Sequence, residues 1–160
     1  MGKLTVLALR AVLVGLLAGS VFVQAVMVPL LAADMGDFGR RTPVVVILLL
    51  GLVTAQVVLV CVWRLVTMVR RGTVFSHGAF RYVHIVIGAM TAAALLIFTL
   101  GVVLAPGEAV APGIVLLIGG VGLAVLGVAL IVLVLRMLLA QAVARDVEAA
   151  RMRAELAEVI

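Results

Sequence analysis

The stretch IVLLIGGVGLAVLGVALIVLVL, Ile114 to Leu135, decides the fold: it runs for 22 residues without a charge. A helix rises 1.5 Å per residue, so about 20 apolar residues cross a hydrocarbon core of about 30 Å. This segment therefore reads as a membrane span. Three more runs match it, Ala11 to Ala33, Val44 to Trp63 and Ile85 to Ala105, with 23, 20 and 21 residues. Backbone groups in lipid must be satisfied within the segment, which selects helices, and the ten-residue alternation of a membrane barrel is absent. The expected class is all-α: an integral membrane four-helix antiparallel bundle with the fourth helix extended into the cytoplasm.

Composition agrees. The 160 residues are 67% hydrophobic and 12% charged, against about 45–50% and about 25% in an average soluble domain. A soluble fold leaves too much of its surface in water to hide that excess. The net charge of +5 does not point to nucleic acid, because the arginines punctuate hydrophobic runs instead of clustering on a soluble face. Direct nucleic-acid binding is not expected.

Between the runs, Ala33 to Pro43 and Ala105 to Gly113 carry Gly, Pro and acidic residues, including Asp34, Asp37, Gly39, Pro106, Gly107, Glu108 and Pro112, and read as tight turns. The middle connection, Arg70 to Ser76, offers a helix stop at Gly72 and an N-cap at Ser76. No linker composition divides the chain. The expected organisation is a bundle over 1–140, with spans about 8–33, 43–66, 82–105 and 113–138, and a cytoplasmic amphipathic helical tail over 141–160.

Charge sets the orientation. With both termini in the cytoplasm, Lys3, Arg10, Arg64, Arg70, Arg71, Arg81, Arg136, Arg145, Arg151 and Arg153 lie inside and only Arg40 and Arg41 outside, ten against two. Basic residues concentrate in short cytoplasmic loops, so the expectation is a multi-pass bacterial plasma-membrane protein with cytoplasmic termini. The competing reading of the first run as a signal peptide fits poorly, since the run is longer than the 7–15 residues of a signal core.

Gly15 and Gly19 form a GxxxG pair, extended backwards by Ala11, so one face of the first helix lets another backbone approach closely. Contact inside the bundle and a homo-oligomer face are both open. Gly88, Gly119 and Gly122 are further candidate packing positions in the third and fourth runs. Polar residues within the spans are Ser20, Gln24, Thr54, Gln56, Thr91 and Thr99, with no Asp or Glu. Gln24 and Gln56 fit interhelical hydrogen bonding better than a ligand site.

Arg64 and Arg136 close the second and fourth runs, where a long side chain reaches the headgroups. With Arg70, Arg71 and Arg81 they also make a basic ring suited to anionic lipid or an acidic protein surface. His77 and His84 have no third donor nearby for a zinc site, and Cys61 stands alone, so no metal, cofactor or catalytic residue is expected, and no enzyme.

The tail from Gln141 to Ile160 lacks Gly and Pro and carries seven charges. Arg145 with Glu148, Glu148 with Arg151 and Arg151 with Glu155 have spacings that support a helix. Val143, Val147, Ala150, Ala154 and Ala157 form one apolar stripe, and Met152, Leu156, Val159 and Ile160 another. Such a helix suits a partner, though a solvated stub has the same sequence. Arg145, Arg151 and Arg153 join the candidate contacts.

The central turn Arg71-Gly72-Thr73-Val74-Phe75-Ser76, followed by Arg81 and the Gly88-containing run, resembles the bacterial family called "domain of unknown function 2975". So does the ending Arg153-Ala154-Glu155-Leu156-Ala157-Glu158-Val159-Ile160, although relatives tend to be acidic near the position of Ala157. The resemblance spans the chain and implies a small four-helix inner-membrane protein. Genes of this family often lie beside one for a small helix-turn-helix regulator, which implies a DNA-binding protein as the cytoplasmic partner. The leading expectation is a regulatory or interaction protein that presents its basic turn and C-terminal helix to a soluble partner. The alternative is a small transporter or channel subunit with Gln24, Gln56 and Thr91 lining a polar path.

Overall fold

The computed structural model describes residues 3–34, 39, 41–70, 77–106 and 110–159. Over these residues the chain is all-α, without a strand. The first rod consists of α1 (Lys3–Phe22), a π turn (Val23–Met27) and α2 (Val28–Asp34). The others are α3 (Arg41–Arg70), α4 (His77–Leu104) and α5 (Pro112–Val159). All four rods are long and apolar enough to cross a membrane, which supports a multi-pass membrane protein.

Local chemistry sets the bounds. Pro112 opens α5 at the position where a missing N–H costs nothing, and the next turn is closed by Ile114 N–H donating to the Ala111 carbonyl at 2.9 Å. The run Arg64 to Arg70 contains neither Gly nor Pro, so α3 continues past its apolar stretch. The turn residues Gly72 and Ser76, and with them Arg71, lie outside the described residues.

The π turn has an identifiable cause. Pro29 has no N–H, and its ring crowds the carbonyl four residues back. The helix widens just before it, and Val28 N–H donates to the Val23 carbonyl, five residues back. Gln24 sits in this widened turn.

Packing is serial. The first rod packs on α3, α3 on α4 and α4 on α5, while no interface of similar extent joins the first rod to α4 or α5. The expected bundle is therefore an open row, bent round a cavity of about 610 Å³ that Leu16, Ser20, Gly51, Leu96 and Val125 help to line. The reason lies in where the small residues point. Ala94 and Gly101 on α4, and Gly122 and Ala129 on α5, are all buried, and each pair is seven residues apart, giving two matched small-residue rows. A Cβ on Gly122 would lie 3.2 Å from Ile97 Cγ2 and 3.4 Å from Phe98 Cε1 and Cε2. Helices in lipid associate through such close van der Waals packing, since their apolar faces gain nothing by leaving the tails. Around Gly15, Gly19, Gly88 and Gly119 a Cβ would meet nothing within 4 Å. Among the described residues, Gly15 and Gly19 therefore make no close contact with another helix. Large apolar side chains ring every rod, Leu95, Val102, Leu116 and Leu123 among them, as a lipid-facing surface requires.

Candidate functional site

Antiparallel succession brings the start of the first rod, the end of α3, the start of α4 and the middle of α5 to one end of the row, the end that bears both termini. Most of the expected basic contacts described here collect there. Arg64 and Arg81 are exposed, while Arg10 and Arg136 are half-buried.

Arg10 was expected only as a topology charge, but it is held in place. Its Nη2 donates to Thr67 Oγ1 at 3.2 Å, and its guanidinium carbon lies 5.4 Å from the centre of the Trp63 ring. Thr67 Oγ1 in turn donates to the Trp63 carbonyl at 2.9 Å, so one turn of α3 both orients and receives the arginine. A cation over an indole face adds roughly 0.5–1 kcal/mol at such partly exposed sites. Among the described residues the buried Arg10 Nε has no hydrogen-bond partner.

Arg136 and His84 meet across α4 and α5, with Arg136 Nη1 3.2 Å from His84 Nδ1. An arginine only donates, so in this hydrogen bond Nδ1 is the acceptor. Beside them opens a crevice of about 240 Å³ lined by Leu65, Phe80, Val83, Val132, Leu135, Arg136 and Leu139.

Midway along the rods, Gln56 Nε2 donates to Gln24 Oε1 at 2.9 Å and lies 3.4 Å from Ser20 Oγ. Ser20 Oγ, Thr54 Oγ1, Thr91 Oγ1 and Thr99 Oγ1 donate to carbonyls of their own helices. Among the described residues no hydrogen bond joins Thr91 to either glutamine. The central cavity is apolar apart from the hydroxyls of Ser20 and Thr54, and no three His, Cys, Asp or Glu side chains of the described residues gather as a metal site.

Beyond the row, α5 runs on unbroken. Its 48 residues measure about 72 Å at 1.5 Å per residue, more than twice a hydrocarbon core of about 30 Å. From Ala144 to Val159 every residue is exposed, and Val147, Met152, Leu156 and Val159 carry their apolar side chains into open space. Of the three expected charge pairs one closes among the described residues, Arg151 Nε to Glu155 Oε1 at 3.2 Å. Arg145 and Arg153 are exposed, and Arg70 lies in α3.

The residues missed in sequence had signals. Pro29, five residues after Gln24 within an apolar run, marks the widened turn. Trp63 beside Arg64 at a span end marks an interface where aromatic rings and cations meet.

A family model described as "Protein of unknown function (DUF2975)" matches residues 4–160. No curated protein and no solved structure matches the chain.

Proposed function

The chain belongs to the DUF2975 family of proteins of unknown function, and we propose that it is a regulatory or interaction protein of the bacterial plasma membrane, with both termini in the cytoplasm. Its protruding C-terminal helix, with the basic end of the rods beneath it, engages a soluble partner such as a small helix-turn-helix regulator. One observation carries this reading: α5 continues far beyond its membrane-length portion, and its last four turns are exposed and pack on no other described element. A helix that ends in water without tertiary contacts depends on weak local terms, each pair such as Arg151–Glu155 adding about 0.3–0.5 kcal/mol. Its exposed Val147, Met152, Leu156 and Val159 are the kind of anchors that an amphipathic helix lays into a partner's groove. The ten-to-two distribution of basic residues supports the cytoplasmic placement.

A transporter has less to stand on, because the two glutamines are hydrogen-bonded to each other and the cavity beside them is apolar. The test is deletion of residues 141–160 from the chromosomal gene. Altered expression of the neighbouring genes with the membrane level of the protein unchanged is the expected result. Unchanged expression removes the regulatory reading.

A further inference from the structure

We infer that the crevice between α3, α4 and α5 is a binding site for one anionic phospholipid, whose phosphate is held by Arg136. Three observations combine. The crevice walls, Leu65, Phe80, Val83, Val132, Leu135 and Leu139, are hydrocarbon, so they accept an acyl chain. Arg136 lines it as well, and its Nη1 is anchored on His84 Nδ1 at 3.2 Å. That bond orients the guanidinium and uses one of its five N–H groups, so the others remain to donate to an anion.

The third observation is the missing counter-charge. The sequence has no Asp or Glu between Asp37 and Glu108, or between Glu108 and Asp146. Arg10, Arg64, Arg81 and Arg136 at this end therefore have no nearby carboxylate on their own helices, and the single ion pair among the described residues lies out on the tail. Arg136 follows directly on the uncharged run that ends at Leu135, which sets it at headgroup depth. A cation at that depth above an apolar crevice complements a lipid with a charged head. A soluble phosphate would satisfy the donors and leave the crevice empty, so the crevice favours lipid.

The experiment uses the full-length protein in mild detergent, with lipid retention read by native mass spectrometry in competition between phosphatidylglycerol and phosphatidylcholine. The wild type is expected to retain one phosphatidylglycerol with at least about tenfold preference, the ratio that one charge-assisted contact provides. Arg136→Gln is expected to bring that preference close to one, while Arg151→Gln, on the exposed tail, leaves it intact. Leu139→Trp, which fills the crevice and keeps the charges, is expected to release the lipid. Inorganic phosphate at millimolar concentration is expected not to displace it. Equal retention of the two lipids by the wild type, undiminished preference in Arg136→Gln, undiminished retention in Leu139→Trp, or displacement by phosphate each overturns the assignment. Should Arg136→Gln fail to fold by circular dichroism, Leu139→Trp decides alone.

Discussion

Replacing Gly122 by leucine tests the α4–α5 seam where it is tightest. An added Cβ lies 3.2 Å from Ile97 Cγ2 and 3.4 Å from two ring carbons of Phe98, inside the roughly 3.5–4.0 Å at which carbon atoms attract best. Alanine asks these neighbours to retreat by a few tenths of an ångström, and the better helix propensity returns up to about 1 kcal/mol, so Gly122→Ala is expected to be close to neutral. Leucine drives three further carbons into the same seam, and overpacking of this kind costs about 1–3 kcal/mol. The control lies one turn away: a Cβ on Gly119 meets nothing within 4 Å, so Gly119→Leu carries no such cost. Unfolding by titration with dodecyl sulfate in mixed micelles, followed by circular dichroism and by the fluorescence of Trp63, the single tryptophan, is expected to separate the two variants by about 1–3 kcal/mol. Equal stabilities would refute the reasoning, because the seam would then have room that the geometry denies.

Three further outcomes follow from named contacts. Gln56→Leu strands Gln24 Oε1 and is expected to lower stability by about 0.6–1.7 kcal/mol, whereas Thr99→Val, whose hydroxyl only serves the Leu95 carbonyl of its own helix, is expected to change it less; the same unfolding titration compares them. Pro29→Ala removes the cause of the π turn, so Gln56→Leu is expected to cost less in that background, and a double-mutant cycle showing no coupling would count against the explanation given for Val23–Met27. In a Cys61→Ala background, a cysteine at Gly39 is expected to react with an impermeant maleimide on intact cells, and one at Leu156 only after the membrane is opened. The reverse pattern would invert the orientation.

The all-α class and the four apolar helices were legible in sequence because the free energy of placing a chain in lipid sums over about 20 residues, so no single side chain can blur the signal. What was not legible depends on direction. GxxxG drew attention to Gly15 and Gly19, yet of the described glycines the one that sits closest to another helix is Gly122, against Ile97 and Phe98, and nothing in spacing alone says which face of a uniformly apolar helix turns inward. The open row follows from the same fact. At the basic end the residue types were readable but their partners were not: Arg136 meets His84 across 52 positions, and Arg10 meets Thr67 across 57. Both pairings are set by the depth at which antiparallel helices begin and end, a property of the assembled rods. The exposed tail was open in sequence between a docking helix and a solvated stub. Its geometry adds that α5 is continuous to Val159 and exposed from Ala144 onward, and docking is the reading proposed for it.

The central claim is that this helix meets a soluble protein. Photo-crosslinking in living cells, with a photoreactive residue placed in turn at Val147, Met152, Leu156 and, as a lipid-facing control, Leu116, measures it most directly. One discrete adduct, identified as a DNA-binding protein, is expected from at least two of the tail positions and none from Leu116. Absence of any protein adduct from all three tail positions, with the protein present in the membrane at normal level, would contradict it.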